Sequence, residues 1–155
     1  MSKAFTREDD EDGATELPDR IISAAPNLVT PEGLAAIDTE VERHSVKHAE
    51  ALAAGDKEAL VRAARDLRYW TARRQTARVI DKRRDSTRVG FGSTVTVERD
   101  DGKRSVWRIV GEDEADPSRG LISHVAPVAR ALMDREIGDT VEAGRFEAEI
   151  VAITA

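Results

Sequence analysis

The sequence predicts an α+β protein: an antiparallel helical hairpin that forms a coiled coil, then a small antiparallel sheet unit carrying one short helix. Three observations lead there. Seam residues recur at spacings of three and four over Leu34, Ile37, Val41, His44, His48 and Leu52, the period of one helix face. After a break at Gly55 the same spacing returns over Leu60, Ala63 or Ala64, Leu67, Trp70, Arg74 and Ala77. Beyond residue 88 the pattern changes to short β-type runs separated by Gly and Asp turns.

Taken in order, residues 1–27 read as a flexible acidic tail. Glu8-Asp-Asp-Glu-Asp12 is a block of like charge, and Pro18 and Pro26 punctuate the residues after it. Ile21 and Ile22 are its one apolar pair able to dock. Thr30-Pro-Glu-Gly33 starts a helix, with a Thr cap, Pro at the first helical position and Glu in the first turn. Two seamed helices joined at Gly55 make the hairpin of residues 28–80. Asp81–Thr87 is a polar linker, so few contacts across it and semi-independent folding of the two units are expected. Residues 88–155 form the second unit, with strands near Thr94–Val97, Trp107–Val110, Leu121–Ser123 and Phe146–Ala152. Asp100-Asp-Gly102 supplies a hairpin turn. Pro127 opens the short helix, with Val128, Ala131 and Leu132 at helical spacing. No internal repeat is present.

Composition narrows the function classes. The chain has 155 residues and a formal charge of −6. Residues 1–29 carry net −4, residues 30–88 net +3 and residues 89–155 net −5. An acidic total argues against nonspecific duplex binding as the main task. No cysteine is present, which excludes disulfides, a thiol nucleophile and Cys-based zinc sites and fits a reducing cytoplasm. No apolar run approaches the ~20 residues of a membrane span, and acids stand where a signal peptide would carry an apolar segment. A cytoplasmic monomer with no metal of its own is the expectation.

Several residues carry chemistry or imitate it. His44 and His48 have the i, i+4 spacing of a zinc pair, but both fall on the seam and no Glu follows the first, so packing explains them. His124 stands alone at a strand end. Glu112-Asp-Glu-Ala-Asp116 reads as a structural turn between strands. Residues 62–88 hold ten basic groups against three acids, with Tyr69 and Trp70 among them. Arg65, Arg68, Arg73 and Arg74 are either a nucleic-acid-facing surface or a solvated helix face. At the hairpin tip, Asp56 is placed to cap the second helix and Glu58 to favour its positive end.

The run Phe91-Gly-Ser-Thr-Val-Thr-Val97, Arg108-Ile-Val-Gly111, Asp113-Glu114, Ile122-Ser123, Pro127-x-Ala129-Arg-Ala-Leu132 and Gly138-Asp139 resembles the C-terminal domain of the GreA/GreB transcript-cleavage factors of bacterial RNA polymerase. Val29-Thr-Pro-Glu-Gly33 and Arg65-x-Leu67-Arg-Tyr-x-Thr-x-Arg73 resemble their hairpin, closest to the GreB branch. The resemblance implies an FKBP-like second domain, and an auxiliary factor in place of an enzyme. It implies a hairpin inserted in the polymerase secondary channel, near nascent RNA and DNA. It also implies docking of Ala126, Pro127, Val128 and Arg130 on a coiled coil of the largest subunit; the family usually has Ser where Ala126 stands. Tip acids of the family help hold a Mg²⁺ at the polymerase active site, which would assign that role to Asp56 and Glu58. The family tip reads Gly-Asp-x-x-Glu-Asn, whereas this one reads Gly55-Asp-Lys-Glu-Ala59. Each arm is also roughly eight to ten residues short, or ~12–15 Å of helix. The alternatives are a short-armed relative like the regulator of nucleoside diphosphate kinase, which occupies the channel without cleavage, and a stand-alone peptidyl-prolyl isomerase.

Overall fold

Thr30 decides where the hairpin starts. In the computed structural model, which describes residues 17–81 and 86–155, its hydroxyl accepts from the Gly33 amide at 2.9 Å. Pro31 takes the first helical position, where a missing amide proton costs nothing. Helix α1 runs Pro31–Ala54 and stops at Gly55, whose φ of 67° is a left-handed cap that a Cβ would strain. Asp56 then caps α2, Lys57–Thr76. Only two residues separate the helices, so they fold back antiparallel.

The seam holds Ile37, His44 and Ala51 of α1 against Ala63 of α2, with Leu34, Val41, Leu60, Leu67 and Trp70 half-buried. Two positions differ from expectation. Leu52 is 63% exposed, because a step of four after His48 overshoots the alternating three-and-four seam, and Ala51 takes the inward place. For the same reason Arg73, three residues after Trp70, is buried and Arg74 is exposed.

In the second unit, β3 (Thr94–Arg99), β4 (Arg104–Val110), β5 (Leu121–Ser123), β6 (Thr140–Ala143) and β7 (Phe146–Thr154) form one sheet in the order β5-β4-β3-β7-β6. Val95, Val97, Ile109, Ala148 and Ile150 project from one face by strand alternation. Helix α3 (Pro127–Leu132) covers that face through Ala129 and Leu132, which are fully buried. The antiparallel expectation holds for β4-β3-β7-β6. At the edge, β5 pairs parallel to β4, with Arg108 opposite Leu121. Parallel pairing needs a crossover, and residues 111–120 supply it by swinging out to the hairpin base and returning through a 3₁₀ turn at Pro117–Arg119.

The hairpin base is not separate from this core. β1 (Leu28–Val29) and β2 (Arg78–Val79) form a two-stranded parallel ribbon. Leu28 and Ile80 beside it pack on the sheet core. Gly111 permits the approach, since a Cβ there would collide with the Leu28 carbonyl oxygen. The expectation of few contacts between the units is therefore corrected: the segments flanking the hairpin finish the sheet's packing. A second correction concerns the tail. Residues 17–27 lie along α2, with Asn27 Nδ2 donating to the Arg73 carbonyl at 2.8 Å and Asp19 on Arg68. Ile21 does not dock; it is 94% exposed. The acidic block Glu8–Asp12 and most of the linker lie outside the described residues. Among the described residues no helix is long and apolar enough to cross a membrane.

Candidate functional site

At the tip, backbone geometry fixes the acids. The Asp56 carboxylate accepts from the Ala59 amide at 3.0 Å, closing the first turn of α2. Glu58 is ion-paired with Arg62 one turn on, a favourable helical spacing. Both carboxylates thus have partners within the hairpin. His44 is buried, with Nε2 3.2 Å from Glu40, and His48 is half-buried. Among the described residues no group of three His, Cys, Asp or Glu side chains is placed to hold a metal ion.

The acidic turn after β4 is a latch. Asp113 receives the Tyr69 hydroxyl and the Arg73 guanidinium, whose Nε lies 2.5 Å away. Glu112 lies 3.8 Å from the same guanidinium. The Glu114 carboxylate accepts from the Thr30 hydroxyl at 2.6 Å, which sets a negative charge at the positive end of α1. Asp116 caps the 3₁₀ turn through the Ser118 amide at 3.2 Å. Every acid of the turn is engaged, three of them with the hairpin.

Burial, the hydrogen bond to Asp113 and that carboxylate's charge push the Tyr69 phenol up to about 12. A raised folded-state pKa means that the latch's contribution is complete below pH ~10 and is lost as pH climbs toward 12. Tyr69 is the only tyrosine, so its tyrosinate absorbance reports on the latch alone. The titration midpoint should lie well above that of a free phenol, and Asp113→Asn should bring it down. A midpoint unmoved by Asp113→Asn would rule out the contact. The His124 ring stands edge-on to Phe91 at 5.6 Å between centroids. Burial pulls its imidazole below the usual range, with Glu112 opposing.

The structure separates the four arginines expected to face nucleic acid. Arg73 does not: its side chain is 2% exposed and committed to Asp113. Arg74 is exposed and bridges to Asp38 of α1. Arg68 holds Asp19 at 2.8 Å. Arg65 is partly exposed beside Asp66 at 3.7 Å, and its Nε has no hydrogen-bond partner. Along α2, Arg62 and Arg65 are i, i+3 neighbours, as are Arg65 and Arg68.

The four residues expected to dock cluster at the start of α3. Pro127 and Arg130 are exposed, and Ala126 and Val128 are half-buried. Ala126 gives the helix no side-chain cap; the Ala126 amide instead donates to the Ser123 carbonyl at 2.9 Å. Below them Ala129 and Leu132 tie the patch to the sheet. Of the sheet unit's aromatic residues, Phe91 belongs to the core and Phe146 lies on the surface beneath the Arg99 guanidinium, 3.6 Å from its ring centre.

The C-terminal domain model of the GreA/GreB transcription elongation factors matches residues 84–155. The transcription elongation factor GreB of Yersinia pestis is 34% identical over 137 residues, covering 76% of this chain and 80% of that protein. The chain belongs to the GreA/GreB family. A GreA of Alkalilimnicola ehrlichii is 51% identical over 71 residues, 43% of this chain and 45% of that protein. Among solved structures, GreA factor homolog 1 of Thermus thermophilus aligns at 20% identity with a TM-score of 0.43, over 84% of this chain and all of that one. As a GreA/GreB member the chain is an auxiliary factor of transcription elongation and not an enzyme in its own right.

Sequence reasoning took the acidic turn for a plain connection and missed the latch. Its signal was available: Arg73 stands three residues after Trp70 on the seam side of α2, and a buried guanidinium requires a carboxylate. The turn at residues 112–116 is the richest acidic source outside the N-terminal block.

Proposed function

We propose that this GreA/GreB member binds RNA polymerase through Ala126, Pro127, Val128 and Arg130. Its hairpin enters the secondary channel and modulates elongation with little stimulation of RNA cleavage. The tip carries this reading: Asp56 is engaged in capping and Glu58 in an ion pair with Arg62. Mg²⁺ bound through protein carboxylates needs ligand oxygens at ~2.1 Å in near-ideal geometry. The two tip acids do not fit that demand, so no metal step is assigned to them. The 24 residues of α1 span about 36 Å, and the arms are shorter than the family pattern. Arg65, Arg68 and Arg74 face the nucleic acid of the elongation complex in this reading.

Two experiments test it. In a backtracked complex with the cognate polymerase, wild-type protein should shorten the RNA slowly. Asp56→Ala should change that rate little while costing about 1 kcal/mol of helix stability through the lost cap. Rapid cleavage abolished by Asp56→Ala would reverse the reading in favour of full cleavage activity. Separately, Pro127→Glu with Val128→Glu should weaken polymerase capture at least tenfold with an intact thermal transition, because charge is disfavoured in the buried centre of an interface. Unchanged capture would refute the docking assignment.

A further inference from the structure

Residues 17–27 run from the base of the hairpin toward its tip. Asn27 meets Arg73 and Thr76, Arg20 meets Asp66, Tyr69 and Trp70, and Leu17 to Asp19 lie beside Val61, Ala64 and Arg68. The contacts are specific. The Arg20 guanidinium lies 3.8 Å from the Tyr69 ring centre, and the Asp19 carboxylate sits 2.8 Å from two nitrogens of Arg68. A planar group on an aromatic face and an anion on the adjacent arginine are the two elements by which a protein surface holds a single-stranded nucleic acid.

We propose that this segment is a built-in cover over a single-strand binding face of α2. Arg20 occupies the place of a stacked base and Asp19 the place of a phosphate. The proposal rests on the reading above that the α2 arginines face nucleic acid, and it adds that the chain itself occupies that face until a strand displaces it.

Three further observations support a removable cover. The segment has no apolar anchor at its centre, since Ile21 is 94% and Ile22 45% exposed. Its outer ion pair is superficial, the Asp19 and Arg68 side chains being 70% and 56% exposed, and such pairs are weak and screened by salt. Beneath it, donors remain unpartnered: Trp70 Nε1 and Arg65 Nε have no hydrogen-bond acceptor. Trp70 and Arg20 line a cleft of about 470 Å³ with Ile37, Glu40, His44 and Asp66. A strand brings phosphate and carbonyl oxygens to those donors, whereas Arg20, itself only a donor, cannot satisfy them. Three acids line the cleft: Glu40 is paired with Arg43, Asp113 with Arg73, and Asp66 keeps Arg65 beside it once Arg20 leaves.

The decisive variant is Arg20→Ala in the full chain. Loss of a positive charge alone predicts weaker nucleic-acid binding; loss of a cover predicts tighter binding. Anisotropy of a labelled single-stranded oligoribonucleotide, with no polymerase present, should show about tenfold tighter binding by Arg20→Ala, as expected when a largely closed site becomes open. Asp19→Asn should act in the same direction and serves as the second variant if Arg20→Ala melts early. Adding Arg65→Ala and Arg68→Ala should remove the gain, and rising salt should weaken it. Folded variants that bind no tighter than wild type would overturn the cover. Equal or stronger binding of a duplex would overturn the single-strand assignment. Because polymerase is absent, failure here leaves the docking reading to its own capture assay.

Discussion

Arg73→Ala should lower the stability of the whole chain by roughly 3–5 kcal/mol, the usual result of removing one partner from a buried ion pair. The substitution leaves Asp113, 11% exposed, without its cation. It also frees the Glu112 carboxylate, one oxygen of which already lacks a hydrogen bond. Tyr69 remains on Asp113 and covers part of the deficit. Arg73→Lys should rescue little, because an ammonium cannot reproduce the planar fork that meets Asp113 while reaching toward Glu112. Urea unfolding would measure the loss. The latch joins α2 to the turn after β4, so the change should also loosen the coupling between hairpin and sheet. Hairpin helicity should then melt ahead of the sheet. A loss under 1 kcal/mol with a single unchanged transition would show that the latch is not a stabilising link.

How much of this was legible in the sequence depends on the range of the interactions involved. Local rules placed the hairpin ends well: Thr30, Pro31, Gly55 and Asp56 act through residues no more than four positions away. Alternation placed the strands, and the Pro127 start of α3 needed only its own φ restriction. The Asp56 cap was equally readable because it is local, whereas the pairing of Glu58 with Arg62 was not read although its i, i+4 spacing is local too. The other interactions that escaped were long-range. Asp113 meets Arg73 and Tyr69 across some forty positions, and Glu114 meets Thr30 across 84. Composition cannot distinguish an acid that faces water from one that faces a buried arginine. The parallel edge strand escaped for the same reason: β5 keeps the direction of β4 only because residues 111–120 are drawn to the hairpin base. Arg20 and Asp19 looked like tail residues, since their partners on α2 lie 46 to 49 positions away.

Leu132→Ala should cost roughly 2–5 kcal/mol, the range for truncating a fully buried leucine when the site cannot collapse. Collapse is restricted here. The residue anchors α3 in the core cluster that also holds Val89, Val141 and Ile150, and the sheet beneath is held by paired strands. The consequence reaches function by way of a helix too short to stand alone. α3 has six residues, far below the ~12–15 that an isolated helix needs to be even marginal in water. Its form therefore depends on Ala129 and Leu132. Loosening it displaces Pro127, Val128 and Arg130 although none of them is altered. Polymerase capture should consequently fall in Leu132→Ala at temperatures where the sheet is still folded, and cooling should restore it. Pro127→Glu with Val128→Glu should weaken capture at every temperature at which the domain is folded, although Val128 packs partly on the core and its loss lowers the melting point somewhat. Leu132→Ala protein that is destabilised as expected yet binds polymerase as tightly as wild type while α3 is loose would show that the docking surface lies elsewhere on the sheet unit.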